Sequence, residues 1–255
     1  MMKRIIWLLT LVVTTNFANA QNTDELFNKA NNLYKNGSYE QAVELYKSII
    51  ESKNVSSELF YNLGNCYYKL NKVGPSIYNY EKALLLDPLN EDAKNNLVFA
   101  KRLTLDRIEE LPKSVLQKFN ENYISKISFN GWAVIAVVIS FLASLLFILY
   151  YFSITPSSKR IFFSTSILSF ILLVISLAIT YHQFSKTSNT VEAIVFSDEV
   201  SVKNEPTKNG DEVFSLHEGT KVIVLDEVDN WKKIRLSDGK IGWLKSNNIK
   251  ILDLF

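Results

Sequence analysis

The sequence predicts a multidomain membrane protein: an all-α repeat domain, then a two-helix transmembrane hairpin, then a C-terminal all-β barrel. Three observations carry this. Residues from about Asp24 to Glu110 are polar, have helical periodicity, and match themselves at an offset of 34 residues. Gly131 to Phe152 and Ile161 to His182 are runs almost free of charge. From Asn189 onward apolar and polar residues alternate at a period of two, as half-buried strands do.

The totals narrow the function. Of 255 residues 47% are apolar, and they cluster rather than spread. A net charge of +2, without a dense Lys/Arg stripe, argues against a nucleic-acid partner. A single cysteine, Cys66, excludes an internal disulfide. Residues 1–20 read as a secretory signal: Lys3 and Arg4, an apolar stretch from Ile5 to Val13, and the small-residue site Ala18-Asn19-Ala20. The exported chain then begins at Gln21.

Within the first segment "ANNLYKNGSYEQAVELYKSII" aligns with "GNCYYKLNKVGPSIYNYEKAL", Ala30 falling on Gly64. Gly64 lies mid-helix, where glycine costs about 1 kcal/mol against alanine, so a closely packed neighbouring helix is expected there. The period of 34, with Leu63, Gly64, Tyr67, Leu70, Tyr80, Ala83 and Pro88, resembles the tetratricopeptide repeat, two antiparallel helices per unit. The first unit carries the likeness through Ala30, Gly37, Tyr39, Ala42 and Tyr46. Ser76 stands where the family usually has alanine, and Val73 where it has an aromatic residue. The repeats span 23–110, with units near 23–56 and 57–90 and a capping helix over 91–108. Two units are few for independent stability, so the array should lean on something else.

After a linker over 111–128, transmembrane helices are expected at 129–153 and 161–182. Each run is about 22 residues, or ~33 Å as a helix, enough to cross a bilayer core. Trp132, Tyr150, Tyr151 and Tyr181 sit near the ends, as interfacial aromatics do. Pro156 is expected to stop the first helix, with Ser157 or Ser158 capping the second. Lys159 and Arg160 in the connecting turn should stay in the cytoplasm, leaving both soluble segments outside. The spans hold no ionisable group for a transport path. Ala136, Ser140 and Ser144 on one, and Ser166, Ser169, Ser176 and Thr180 on the other, are small-residue faces suited to packing the two helices together.

Residues 190–255 supply strands at "SVK", "KVIVL", "WKKIRL" and "IGWL", with a hairpin turn at Asp238-Gly239. Gly219-Thr220, Val222, Val224, Trp231, Ile234, Leu236, Asp238-Gly239 and Gly242-Trp243 resemble the bacterial SH3 domain, a small β-barrel. Pro206 keeps its family position, while Glu205 replaces a glycine. Trp231 and Trp243 are the candidates for a ligand groove in this SH3-like barrel.

No catalytic constellation is visible. His182 and His217 have no sequence neighbours suited to a triad, and Cys66 reads as a core thiol. No catalytic residue, metal ligand or cofactor is therefore expected. The repeat family instead implies a concave protein-binding groove lined by the first helix of each unit. Here those positions are Phe27, Asn31, Tyr34 and Lys35, then Tyr61, Asn65, Tyr68 and Lys69, continued by Asn95, Phe99 and Arg102. Side-chain amides there can hold an extended peptide, and tyrosines give contact area.

Signal, repeats, two spans and barrel in this order resemble the BatE-like proteins of the Bacteroides aerotolerance operon. The resemblance implies a non-enzymatic scaffold in the inner membrane of a bacterium. Its soluble domains would face the periplasm and gather membrane-protein partners. The alternative is a cell-wall sensor or anchor whose barrel binds peptidoglycan.

Overall fold

The computed structural model describes residues 23–109 and 111–253. The expected signal segment lies outside the described residues. The described residues form two compact units: 23–109 together with 192–253, and 111–191. The repeats and the barrel, read as separate from sequence, share the first unit.

Its helices are α1 (residues 23–35), α2 (Tyr39–Glu51), α3 (Ser57–Lys69), α4 (Val73–Leu86) and α5 (Glu91–Lys101). Ala30, Ala42, Tyr46, Leu59, Leu63 and Cys66 make one core. Gly64 lies against Tyr80 of α4: a Cβ there would stand 2.8 Å from the ring. This contact supplies the reason for a mid-helix glycine. Ser76 also has one, since its buried hydroxyl donates to the Gly64 carbonyl at 3.0 Å and ties the two helices together. Ser56 caps α3 and Asn90 caps α5, each accepting a backbone N–H three residues on.

The capping helix is shorter than expected. It ends at Lys101, not near residue 108. The following segment leaves the helix because Asp106 accepts hydrogen bonds from the His217 N–H at 2.7 Å and the Thr220 hydroxyl at 2.5 Å.

The barrel strands are β1 (Val191–Val195), β2 (Glu199–Lys203), β3 (Glu212–His217), β4 (Lys221–Val228), β5 (Trp231–Arg235), β6 (Ile241–Lys245) and β7 (Ile249–Ile251). They form one sheet in the order β3-β2-β6-β5-β4-β1-β7. Registers include Val200 opposite Leu216, Val224 opposite Ile234, and Ala193 opposite Ile251. Alternate inward residues, among them Val195, Val202, Val222, Ile234 and Leu244, fill the core.

Helix α4 is buried on nearly every side. Its Ile77, Tyr78 and Tyr80 share a core with Leu97 and Ala100 of α5 and with Ile194 and Leu252 of the barrel. The short array therefore leans on the barrel. Gly219 makes the approach possible: its φ is +89°, and a Cβ would meet Ile77 and Thr104, both at 2.9 Å. Val73 lies beside the same glycine at 3.2 Å, leaving no room for the aromatic side chain usual in the repeat.

The second unit opens with α6 (Val115–Phe119), which runs into one turn of π-helix, Asn120–Ile124. Then come α7 (Phe129–Phe152) and α8 (Pro156–Asn189), both long and apolar enough to cross a membrane. Pro156 does not terminate α7. It is the first residue of α8, where its missing N–H costs nothing, and Thr155 rather than a serine is the cap. Helix α8 is also longer than its expected span, running seven residues past His182 to Asn189, all polar but Phe184. The two helices pack as a hairpin burying Ala136, Ser166, Ser169 and Ser176, while Ser140 and Ser144 remain exposed. Ring pairs Phe129–Phe184 and Tyr150–Phe163 set the register at its two ends.

Candidate functional site

The first helices of the units, α1 and α3, and then α5, carry the groove positions. Lys35, Lys69, Asn95, Phe99 and Arg102 are exposed, and the Arg102 guanidinium lies 5.2 Å from the Phe99 ring. Phe27, Tyr34, Tyr61 and Tyr68 are only half exposed. Each has its inner edge in a repeat core, with Phe27 5.9 Å from Tyr46 and Tyr61 6.2 Å from Tyr80. The expectation that they recur without serving packing is thus corrected: their inner edges pack in the cores.

The two asparagines do more than face a groove. Asn31 Oδ1 accepts from the Tyr46 hydroxyl at 2.5 Å and from Asn62 Nδ2 at 3.1 Å. One unit later Asn65 Oδ1 accepts from the Tyr80 hydroxyl at 2.6 Å and from Asn96 Nδ2 at 2.8 Å. The same three-residue bridge links both helices of a unit to the first helix of the next. Burial raises the pKa of both tyrosines, keeping the hydroxyls as donors. The amide nitrogens of Asn31 and Asn65 meet no acceptor among the described residues. They remain as donors one helical turn from exposed Lys35 and Lys69.

Asn62 and Asn96 were not singled out from sequence, although Asn28, Asn62 and Asn96 recur at the repeat offset. Cys66 is fully buried, and burial pushes its thiol up to about 12, which disfavours a nucleophilic thiolate.

On the far side of α4 an ionic cluster joins repeats and barrel. Buried Glu81 receives Lys101 at 2.8 Å and Lys221 at 2.9 Å, and Lys221 also reaches Glu192 at 2.7 Å. Desolvation pushes the Glu81 pKa up, but the two lysines outweigh it and hold the carboxyl below its usual range. Desolvation likewise opposes the charge on Lys221, and the two carboxylates override it. His217 Nδ1 lies 2.7 Å from Asp106 Oδ1, a hydrogen bond that raises the imidazole pKa. His217 is therefore a junction residue, not a free surface group.

In the barrel Trp231 is buried, whereas Trp243 is half exposed with Lys233 5.8 Å from its ring. Of the two, only Trp243 has a solvent-accessible ring face.

Comparison with known proteins agrees with this architecture. The tetratricopeptide repeat family model matches residues 57–90, and the bacterial SH3 domain model matches residues 198–250. The helical region carries a tetratricopeptide repeat, and the C-terminal sheet matches an SH3-like domain. A chloroplastic protein of Arabidopsis thaliana is 33% identical over 106 residues, covering 38% of this chain and 29% of that protein. The chain thus spans less than a third of that relative's length.

Proposed function

We propose that the protein is a non-catalytic, membrane-anchored scaffold whose repeat groove captures an extended, acidic segment of a partner protein. The observation that carries this is the groove itself: Lys35, Lys69 and Arg102 are exposed around the unengaged amide nitrogens of Asn31 and Asn65. Tetratricopeptide repeats bind proteins, and a surface rich in donors suits carbonyl and carboxylate oxygens. In this reading α7 and α8 span the inner membrane of a bacterium. Repeats and barrel share a core, so two crossings return the chain to the side it left. The signal segment and the basic turn Lys159-Arg160 favour the periplasm for that side. The order of parts favours a BatE-like role within an aerotolerance-type complex of membrane proteins.

The test is in-membrane crosslinking with wild type and with Lys35→Glu/Lys69→Glu. Both lysines are exposed, so the charge reversal should leave folding intact and remove the captured partner. Unchanged capture would sink the groove reading. For orientation, a periplasm-active reporter should work after Phe255 and fail at Ser157; the opposite pattern overturns the topology.

A second reading is supported by the half-exposed Trp243 beside Lys233 and by the bacterial SH3 match. Here the barrel binds peptidoglycan, with Trp243 stacking on the ligand. Loss of sedimentation with purified cell wall in Trp243→Ala would support it, and absence of any sedimentation in wild type would remove it.

A further inference from the structure

We infer that the short helix over residues 115–124 is a bilayer-interface element, with its apolar flank set into the boundary between lipid headgroups and acyl chains. This rests on the reading of α7 and α8 as membrane spans. Val115, Leu116, Phe119 and Tyr123 are 84%, 81%, 53% and 65% exposed. Their spacing places them on one flank of a continuous helical stretch. Gln117, Lys118 and Glu121 occupy the other. Among the described residues none of the four apolar side chains joins a buried apolar cluster.

The helix is nevertheless well specified locally. Ser114 and Gln117 form a reciprocal capping box, with the Gln117 N–H donating to Ser114 Oγ at 3.2 Å and the Ser114 N–H to Gln117 Oε1 at 2.8 Å. Lys113 pairs with Glu121 at 2.9 Å along the polar flank. The sequence thus holds a formed amphipathic helix whose apolar flank has no protein cover.

Where that helix ends identifies its cover. The Ile124 carbonyl accepts Trp132 Nε1 of α7 at 3.0 Å and Gln183 Nε2 of α8 at 2.9 Å. Trp132 lies in the opening turns of α7, and Gln183 follows Tyr181 and His182, where the apolar run of α8 stops. Both bonds fix the helix end at the level where the hairpin passes from polar to apolar. Phe119 and Tyr123, with rings 5.1 Å apart, then sit at the depth that aromatic side chains favour in membranes. An amphipathic helix so placed buries its apolar face about 5–10 Å into that boundary. A soluble partner would have to displace headgroups to reach the same flank.

The test uses the full chain with Cys66→Ala, reconstituted in vesicles of phosphatidylethanolamine and phosphatidylglycerol. Nitroxide labels are placed at Leu116→Cys, Phe119→Cys and Tyr123→Cys on the flank. Lys118→Cys and Glu121→Cys mark the polar side, and Leu142→Cys and Leu168→Cys mark the spans. Flank labels should collide several-fold more with dissolved oxygen than with a water-soluble nickel chelate, as the span labels do, and the polar-side labels should show the reverse. Aqueous behaviour at the flank with lipid behaviour at Leu142 and Leu168 overturns this inference and leaves the spans standing. Aqueous behaviour at the span labels overturns both readings. Flank labels shielded from both reagents, with dipolar broadening between chains, would assign the flank to a second copy and also overturn it.

Discussion

Removing the Glu81 carboxylate should loosen the repeats from the barrel. Glu81 sits on α4 with only a tenth of its side chain exposed and receives both Lys101 and Lys221. Deleting one member of a buried ion pair generally costs about 3–5 kcal/mol, because the survivor is stranded. Neither lysine is stranded here. Lys101 is 47% exposed and can turn into water, and Lys221 keeps Glu192. Glu81→Gln, which preserves volume, should therefore cost less, about 2–3 kcal/mol. The partition follows from the same geometry. A double-mutant cycle of Glu81→Gln with Lys221→Met should give a coupling of about 1–3 kcal/mol. A cycle with Lys101→Met should give under ~1 kcal/mol, as for exposed pairs. Urea unfolding of the chain with Trp7→Phe and Trp132→Phe, followed by the emission of barrel residues Trp231 and Trp243, reads both. A Glu81–Lys221 coupling below about 0.5 kcal/mol, the scatter expected for independent sites, would refute the junction as an energetic link.

Asn65→Ala should cost about 1–3 kcal/mol of repeat stability, since the buried Tyr80 hydroxyl and Asn96 lose their acceptor; an unchanged melting temperature would return Asn65 to a purely ligand-facing role. The raised pKa of His217 makes the Asp106–His217 contribution present below the ordinary histidine value of 6.5 and lost as pH rises through the raised one. Asp106 and Glu81 act oppositely: desolvation is outweighed by their donors, so their lowered carboxyls contribute above the ordinary values of 3.8 and 4.5 and lose that contribution on acidification. Junction stability measured by urea midpoints should thus peak in mild acid and decline as pH rises above 6.5 in wild type, but not in His217→Gln; parallel profiles would disprove the linkage. Cys66→Ala should cost about 1–2 kcal/mol by leaving a small cavity and spare partner capture, and loss of capture in a folded variant would reopen a redox role.

The parts of this fold that sequence reveals are those that repeat. Gly64 and Tyr80 echo Ala30 and Tyr46 because equivalent packing demands equivalent sizes. The apolar runs and the alternating strands are periodic for similar reasons. The repeat–barrel junction has no such period. Ile77, Tyr78 and Glu81 read as one more turn of α4, and nothing near them in sequence announces Ile194, Gly219 or Lys221. The asparagines show the converse error. Asn31 and Asn65 recur, and recurrence off the core face suggests ligand contact. Their oxygens in fact register one helix against the next, while only the nitrogens remain for a ligand. The partner residues Asn62 and Asn96 recur at the same offset and were legible.

The shared core of repeats and barrel also fixes an order of assembly. Glu81 meets Lys221 across 140 residues, and everything between them must be synthesised before the contact exists. During translation α4 therefore waits with Ile77 and Tyr78 bare and Glu81 lacking one of its two cations. A loop of that length would be costly to close as free chain. The hairpin shortens it, since Ile124 and Gln183, 59 residues apart, are joined by a hydrogen bond. Pairing of α7 with α8 thus shortens the loop that closes when α4 meets the barrel. Until the barrel is made, the face of α4 that meets Ile194 and Leu252 has no cover, so the N-terminal helices reach their final packing only after the C-terminal strands are complete.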